Sequence, residues 1–84
     1  MNTVDVDDVR RLMTSEHEDP VLVLLQGQAR VIAADDEDDD EHRGALFVAS
    51  RRSVLDQFGD PGDSPPELAR LATILSGMAD RLGA

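Results

Sequence analysis

The chain of 84 residues contains no cysteine, no tryptophan, no tyrosine and no lysine, and only two phenylalanines. Without cysteine it has neither a disulfide bond nor a thiolate ligand for a metal ion. Without lysine it lacks the side chain that reaches a nucleotide phosphate from a glycine-rich loop. Its core must be built mainly from 25 Leu, Ile, Val, Met and Phe residues. A core of this size leaves a small domain little net stability, which favours self-association.

Long apolar runs are also missing. The two longest, residues 21–25 and 45–49, have five residues each, whereas a helix that crosses a bilayer needs about 20. The first five residues have neither a basic region nor an apolar segment, so no secretory signal is predicted. We therefore expect a cytoplasmic protein that does not enter the membrane.

Basic residues are few. Eight arginines stand against 18 acidic residues, and the net charge is −10 at pH 7. Seven of the acids form the run 35–41, so the rest of the chain carries a net charge of only −3. We expect this run to lie in a mobile, solvated loop over residues 34–44. Binding to nucleic acid or to anionic membranes is not expected, because both need clustered basic residues.

Residues 20–33 organise the rest of the chain. Five apolar residues follow Pro20 and precede Gly27, and the segment after Gly27 alternates polar and apolar residues. This pattern predicts a β-hairpin over residues 21–33, with Gly27 supplying the positive φ of the turn. Residues 45–49 are apolar without alternation and predict a third strand that is buried on both faces.

Three helices are predicted, one before the hairpin and two after the third strand, over residues 3–14, 51–58 and 65–82. The middle helix has Ser50 in position to cap its start and Gly59 to end it. The last helix has the sequence of a capping box, in which Ser64 caps, Pro65 takes the first helical position and Glu67 completes the box.

The predicted fold is a single small α+β domain over residues 1–84. A three-stranded, mainly antiparallel sheet packs with a short N-terminal helix, a short middle helix and a long C-terminal helix. Two strands are apolar on both faces, so both faces of the sheet must be covered by other parts of the structure. Only Gln28 and Arg30 place polar side chains on a strand where they would oppose pairing of a sheet edge with another strand. We therefore expect the chain to form a homodimer.

A stripe of apolar residues at three- and four-residue spacing follows the last helix, and its members are Leu68, Leu71, Leu75, Met78 and Leu82. The stripe predicts either packing on the chain's own sheet or sharing with a second subunit. We favour the first arrangement and keep the five residues as candidate interaction residues. If the protein is a dimer, Leu75→Asp should unfold or dissociate it, whereas Ser76→Asp should not.

The acidic run and two histidines are the candidates for metal binding. Clustered carboxylates suit calcium, but the run does not fit a helix–loop–helix calcium site, because Glu41 and Phe47 replace the required Gly and Glu. The weak metal candidates are Asp36, Asp38, Asp40 and His42. A solvated linker or an acidic surface for a basic partner are the alternatives for this run, and we assign no metal and no cofactor.

No arrangement of residues predicts catalysis. The chain has no cysteine nucleophile and no Gly-x-Ser-x-Gly motif. Arg51 and Arg52 at a helix start form only a weak candidate anion site. The sequence thus predicts a small acidic interaction or regulatory module, not an enzyme, that binds itself or another protein. The alternative is a metal- or ligand-responsive protein using run 35–41, His17 and His42, and a third candidate is an enzyme subunit completed by a partner chain.

Overall fold

The computed structural model describes residues 3–36 and 44–82. The elements in chain order are α1 (Val6–Thr14), β1 (Pro20–Leu25), β2 (Gln28–Ala33), a 3-10 turn (Ala34–Asp36), β3 (Leu46–Ser50), α2 (Arg51–Phe58) and α3 (Pro65–Arg81). The predicted α+β class, with its three strands and three helices, is confirmed. None of the helices within the described ranges combines the length and the apolar character needed to cross a membrane.

The sheet has the order β2-β1-β3, and β1 pairs with both neighbours in antiparallel orientation. The predicted hairpin joins β1 to β2 through Gln26 and Gly27, whose φ angles are 54° and 78°. Positive φ at both central residues is typical of a type I′ turn, which matches the natural twist of two antiparallel strands. The hairpin therefore forms as expected, with Gln26 in a conformation that Asn or Gly adopts more readily.

All three helices lie on one face of the sheet. Leu22 and Leu24 of β1 form the centre of the main core on this face, together with side chains from every helix and from β3. A register shift beside Leu22 inserts a β-bulge into β3, so that Val48 and Ala49 both reach this core.

The second face of the sheet carries a smaller core. Val21, Val23 and Ile32 are buried there, and Ala34 and Ala45 pack against them. The centre of β1 is therefore covered on both faces by the chain itself. Within the predicted mobile loop over residues 34–44, residues 34–36 form a 3-10 turn and residues 37–43 lie outside the described residues, so the mobility of the loop remains a prediction.

Side-chain caps explain the helix starts. The first helix begins at Val6 and not at residue 3 as predicted, because Asp5 is its N-cap and forms a reciprocal capping box with Asp8. Asp8 N–H donates to Asp5 Oδ1 over 2.9 Å, and Asp5 N–H donates to Asp8 Oδ2 over 3.1 Å. The predicted cap at Ser50 is confirmed. Ser50 also forms a reciprocal capping box with Ser53, which was not predicted from the sequence.

The predicted capping box of α3 is wrong, although its start is right. Ser64 is the N-cap residue and Pro65 is the first helical residue, but the Ser64 side chain accepts no capping hydrogen bond. Pro65 and Pro66 have no backbone N–H, so the first turn holds a single orphan donor, at Glu67. Glu67 is exposed, so leaving this one donor without a side-chain cap costs little.

Candidate functional site

Both phenylalanines of the chain are exposed. Phe47 on β3 is 46% exposed and Phe58 at the end of α2 is 39% exposed. Among the described residues, the exposed large apolar side chains are Leu46, Phe47, Leu55, Phe58 and Leu82. The first four lie on two consecutive elements, and we call them the β3–α2 surface. Phenylalanine usually fills a core or an interface, so its exposure makes this surface the candidate functional site.

The β3 strand presents its apolar side chains at a sheet edge. It pairs with β1 on one side, and no described strand pairs with its other side. Leu46 lies opposite Leu24, whose side chain is in the main core, and Phe47 lies opposite Val23, which belongs to the second-face core. Leu46 and Phe47 therefore flank the same edge on opposite faces of the sheet.

The accessible part of this edge is short. Gly44, Leu46 and Phe47 are exposed and Ala45 is half-buried, whereas Val48 and Ala49 beyond them are buried. No charged residue occurs between Gly44 and Ser50. The β2 edge differs, because Gln28 and Arg30 on it are exposed, as the sequence indicated. A charged residue on an edge strand opposes pairing with another strand, so β3 is the less protected edge.

The α2 helix completes the surface. Its single buried residue is Val54, which joins the main core. Leu55 and Phe58 are three residues apart and so lie on the same side of the helix, where both remain exposed. The cap at Ser50 and the Gly59 N–H, which donates to the Leu55 carbonyl over 3.0 Å, fix both ends of this two-turn helix.

Most of the α3 stripe is buried inside the chain. Leu68, Leu71 and Leu75 are in the main core, and Met78 packs against it. Leu82 is 44% exposed at the helix end. Packing on the chain's own sheet, the arrangement favoured from the sequence, thus accounts for the first four residues. Their role as interaction residues remains a prediction.

The expectation that the fold tolerates a charged side chain at position 76, as in Ser76→Asp, is wrong. Ser76 is 6% exposed, and its hydroxyl is bonded twice to the backbone of Val4. Val4 N–H donates to Ser76 Oγ over 2.9 Å, and Ser76 Oγ donates to the Val4 carbonyl over 2.7 Å. The side chain fastens the N-terminal segment to α3, a long-range contact with no signal in the sequence pattern.

Arg51 also has a different place from the predicted anion site. Its guanidinium donates to four backbone carbonyls at the end of α1 and in the loop that follows, those of Met13, Ser15, His17 and Glu18, over 3.0–3.5 Å. Unpaired carbonyls at a helix C-terminus carry partial negative charge, so a cation is favoured there. Arg51 therefore holds the α1–β1 loop in place.

Arg52 lies beside an open cavity of about 650 Å³ that is lined by Glu18, Asp19, Ala33, Ala34, Asp35 and Arg52. Within the described part of the chain, no group of three or more acidic or histidine side chains is close enough to hold a metal ion. His17 is exposed in the α1–β1 loop. Asp38, Asp40 and His42 lie outside the described residues, as does the side chain of Asp36. The predicted cation site thus remains a prediction.

Asp8 is the described acid with a displaced pKa. Partial burial raises the pKa of its carboxyl group, and the negative charge of Asp5 raises it further. The hydrogen bond from the Asp5 N–H and the positive charge of Arg11, 3.6 Å from the carboxylate, act in the opposite direction. The shift belongs to a helix cap, which explains it without a catalytic role.

Comparison of the chain with protein-family models, with curated proteins and with solved structures finds no match. Its function is therefore inferred from its own residues.

Proposed function

We propose that the chain is a small, non-catalytic protein-interaction or regulatory module that acts as a homodimer. The observation that supports this is the exposure of both phenylalanines on the β3–α2 surface. Large apolar and aromatic side chains are enriched at the centres of protein interfaces. From the sequence alone, one face of the sheet was expected to need a partner. The chain itself buries the β1 residues on the second face. The apolar side chains that remain for a partner to cover therefore lie on β3 and α2.

Exposing these side chains is costly for so small a protein. Full burial of one Phe or Leu side chain contributes about 1.5–3 kcal/mol. An 84-residue domain has a total stability of only about 4–13 kcal/mol. Phe47 is 46% exposed and Phe58 is 39% exposed, so covering the exposed part of each side chain would contribute roughly half of the full-burial contribution. A partner that covers both would therefore recover about 1.5–3 kcal/mol on binding, which supports an interface at this surface.

Sedimentation equilibrium of the full chain over a micromolar concentration series tests the proposal. We expect the apparent mass to rise from the 9.1 kDa of one chain toward twice that value. Each copy carries a charge of −10, so raising the salt concentration should strengthen the dimer by screening repulsion. Binding to a basic partner would instead weaken with salt. A single species of 9.1 kDa throughout the series would contradict the homodimer.

The metal-responsive alternative, which uses run 35–41, His17 and His42, has its own test. A ligand that binds the folded chain raises its unfolding temperature by mass action. Thermal unfolding followed by circular dichroism, with and without millimolar calcium, magnesium or zinc, measures this effect. A clear rise with one cation would favour this alternative, and His42→Ala compared with His17→Ala would then show which histidine takes part.

A further inference from the structure

We infer that the homodimer forms through the outer edge of β3 and the residue before it, where residues 45–47 of one copy pair in antiparallel orientation with residues 45–47 of a second copy. The two three-stranded sheets would then become one sheet of six strands. This inference rests on the proposed function and specifies the surface that carries it.

The position of Leu46 and Phe47 points to an added strand. The two side chains lie on opposite faces of the sheet at one edge. A helix or a flat surface that docks on the protein covers one face only. A strand placed beside β3 puts its own side chains next to both residues, and it also satisfies the outward backbone N–H and C=O groups of the edge.

The register follows from the bulge in β3. Val48 and Ala49 are buried beyond the bulge and Gly44 lies in a turn with a φ of 88°, so regular pairing is confined to residues 45–47. A two-fold axis at Leu46 sets the Leu46 residues of the two copies opposite each other. Phe47 of one copy then lies opposite Ala45 of the second copy. Ala45 and Phe47 are on the same face, because both adjoin the second-face core, and a large side chain meets a small one.

Self-complementarity favours a second copy as the occupant, because the large Phe47 of each copy meets the small Ala45 of the other copy. Two chains of charge −10 repel each other, so a contact between them has to be made where neither carries charge. Residues 44–50 are such a segment, and they offer nothing that would select an acidic or a basic peptide. Pairing of β3 with β2 of another copy would extend without closing and would meet the exposed Arg30, whereas β3 paired with β3 closes as a two-fold dimer.

Disulfide trapping tests the inference, because the chain has no cysteine of its own. The variant Leu46→Cys places one thiol at the axis. Residues directly opposite in an antiparallel pair have Cα atoms about 4.5–5.5 Å apart, which is within the range of a disulfide bond. Under mild oxidation at micromolar concentration, we expect Leu46→Cys to form a covalent dimer at least roughly tenfold faster than two matched controls, because paired thiols meet at a millimolar effective concentration. The controls are Arg30→Cys on the β2 edge and Leu82→Cys at the end of α3.

A second variant tests the dimer contact without changing the fold of the single chain. Phe47→Glu puts a charge on the β3 edge at an exposed position, so circular dichroism should show an unchanged fold. We expect the dimer dissociation constant of Phe47→Glu to rise at least roughly tenfold, and that of the control Leu82→Glu to stay unchanged. A dimer that survives Phe47→Glu, or one trapped faster at position 30 or 82, would overturn the inference and leave the homodimer standing. A chain that never dimerises would overturn both.

Discussion

The bond pair between Ser76 and Val4 gives a stability prediction that follows directly from the structure. Ser76→Ala removes the hydroxyl that accepts from the Val4 N–H over 2.9 Å and donates to the Val4 carbonyl over 2.7 Å. Val4 is 0% exposed, so both backbone groups would remain buried without a partner. Substitution at this one position therefore tests whether the N-terminal segment belongs to the folded domain.

Two limits set the size of the effect. A buried backbone group left without a hydrogen bond costs about 1–3 kcal/mol, and Ser76→Ala creates two of them. The N-terminal segment can instead detach, which forfeits the burial of the Val4 side chain, about 1.5–3 kcal/mol. Alanine returns about 0.5 kcal/mol through its higher helix propensity. The smaller cost governs, so we expect a loss of about 1–2.5 kcal/mol in the free energy of unfolding.

Urea unfolding followed by far-ultraviolet circular dichroism measures this loss, because the chain has no Trp or Tyr for fluorescence. Thr73→Ala is the matched control on the same helix. Its exposed hydroxyl donates to the Ala69 carbonyl over 3.1 Å, and its removal should change stability by less than about 0.5 kcal/mol. Hydrogen exchange should also show the Val4 amide protected in the wild type and unprotected in Ser76→Ala. Equal stability of the two variants, with Val4 still protected, would refute the reasoning.

Three further predictions concern α1, the hairpin and the loop between them. Arg51→Met should lower the free energy of unfolding by about 1.5–3 kcal/mol, because the guanidinium donates to four backbone carbonyls. Urea unfolding measures this loss, with Arg52→Met as a near-neutral control, and an equal loss in both variants would contradict the prediction. Because the pKa of Asp8 is raised in the folded state, its contribution to stability is complete below the ordinary value of 3.8 and lost as pH rises through the raised value. The unfolding free energy of the wild type minus that of Asp8→Asn should therefore fall as the pH rises from below 3.8 through the raised pKa, and a rise would reverse the assigned shift. Gln26→Asn should raise stability by about 0.5–1 kcal/mol, since asparagine tolerates the positive φ of 54° better; a lower melting temperature would count against the turn geometry.

The fold was predictable where local signals agree with one another. The hairpin over residues 21–33 follows from an apolar run, a glycine turn and an alternating run, and each of these is decided by near neighbours. The bounds of α2 are right because Ser50 and Gly59 mark them chemically. Element order then limits the sheet, since a short connection such as Gln26–Gly27 forces antiparallel neighbours.

The contacts that depend on distant partners were not predictable. Ser76 was expected on the surface, because nothing in its surroundings in sequence shows that Val4, 72 residues away, returns to meet it. The role of Arg51 has the same origin, as its acceptors are carbonyl groups, which every residue carries. Phe47 lies in the run 45–49, which was expected to be buried on both faces because it is apolar without alternation. Periodicity identifies which side of an element is apolar, but not whether the chain or a partner covers that side.

The most direct measurement of the central claim is amide hydrogen exchange of the unmodified chain at two protein concentrations, one below and one above the dimer dissociation constant. The dimer through β3 predicts that amides within residues 45–47 exchange more slowly at the higher concentration, while those of the β2 edge, such as Arg30, exchange at the same rate in both samples. Exchange at residues 45–47 that does not change, in a sample whose mass has doubled, would contradict this interface.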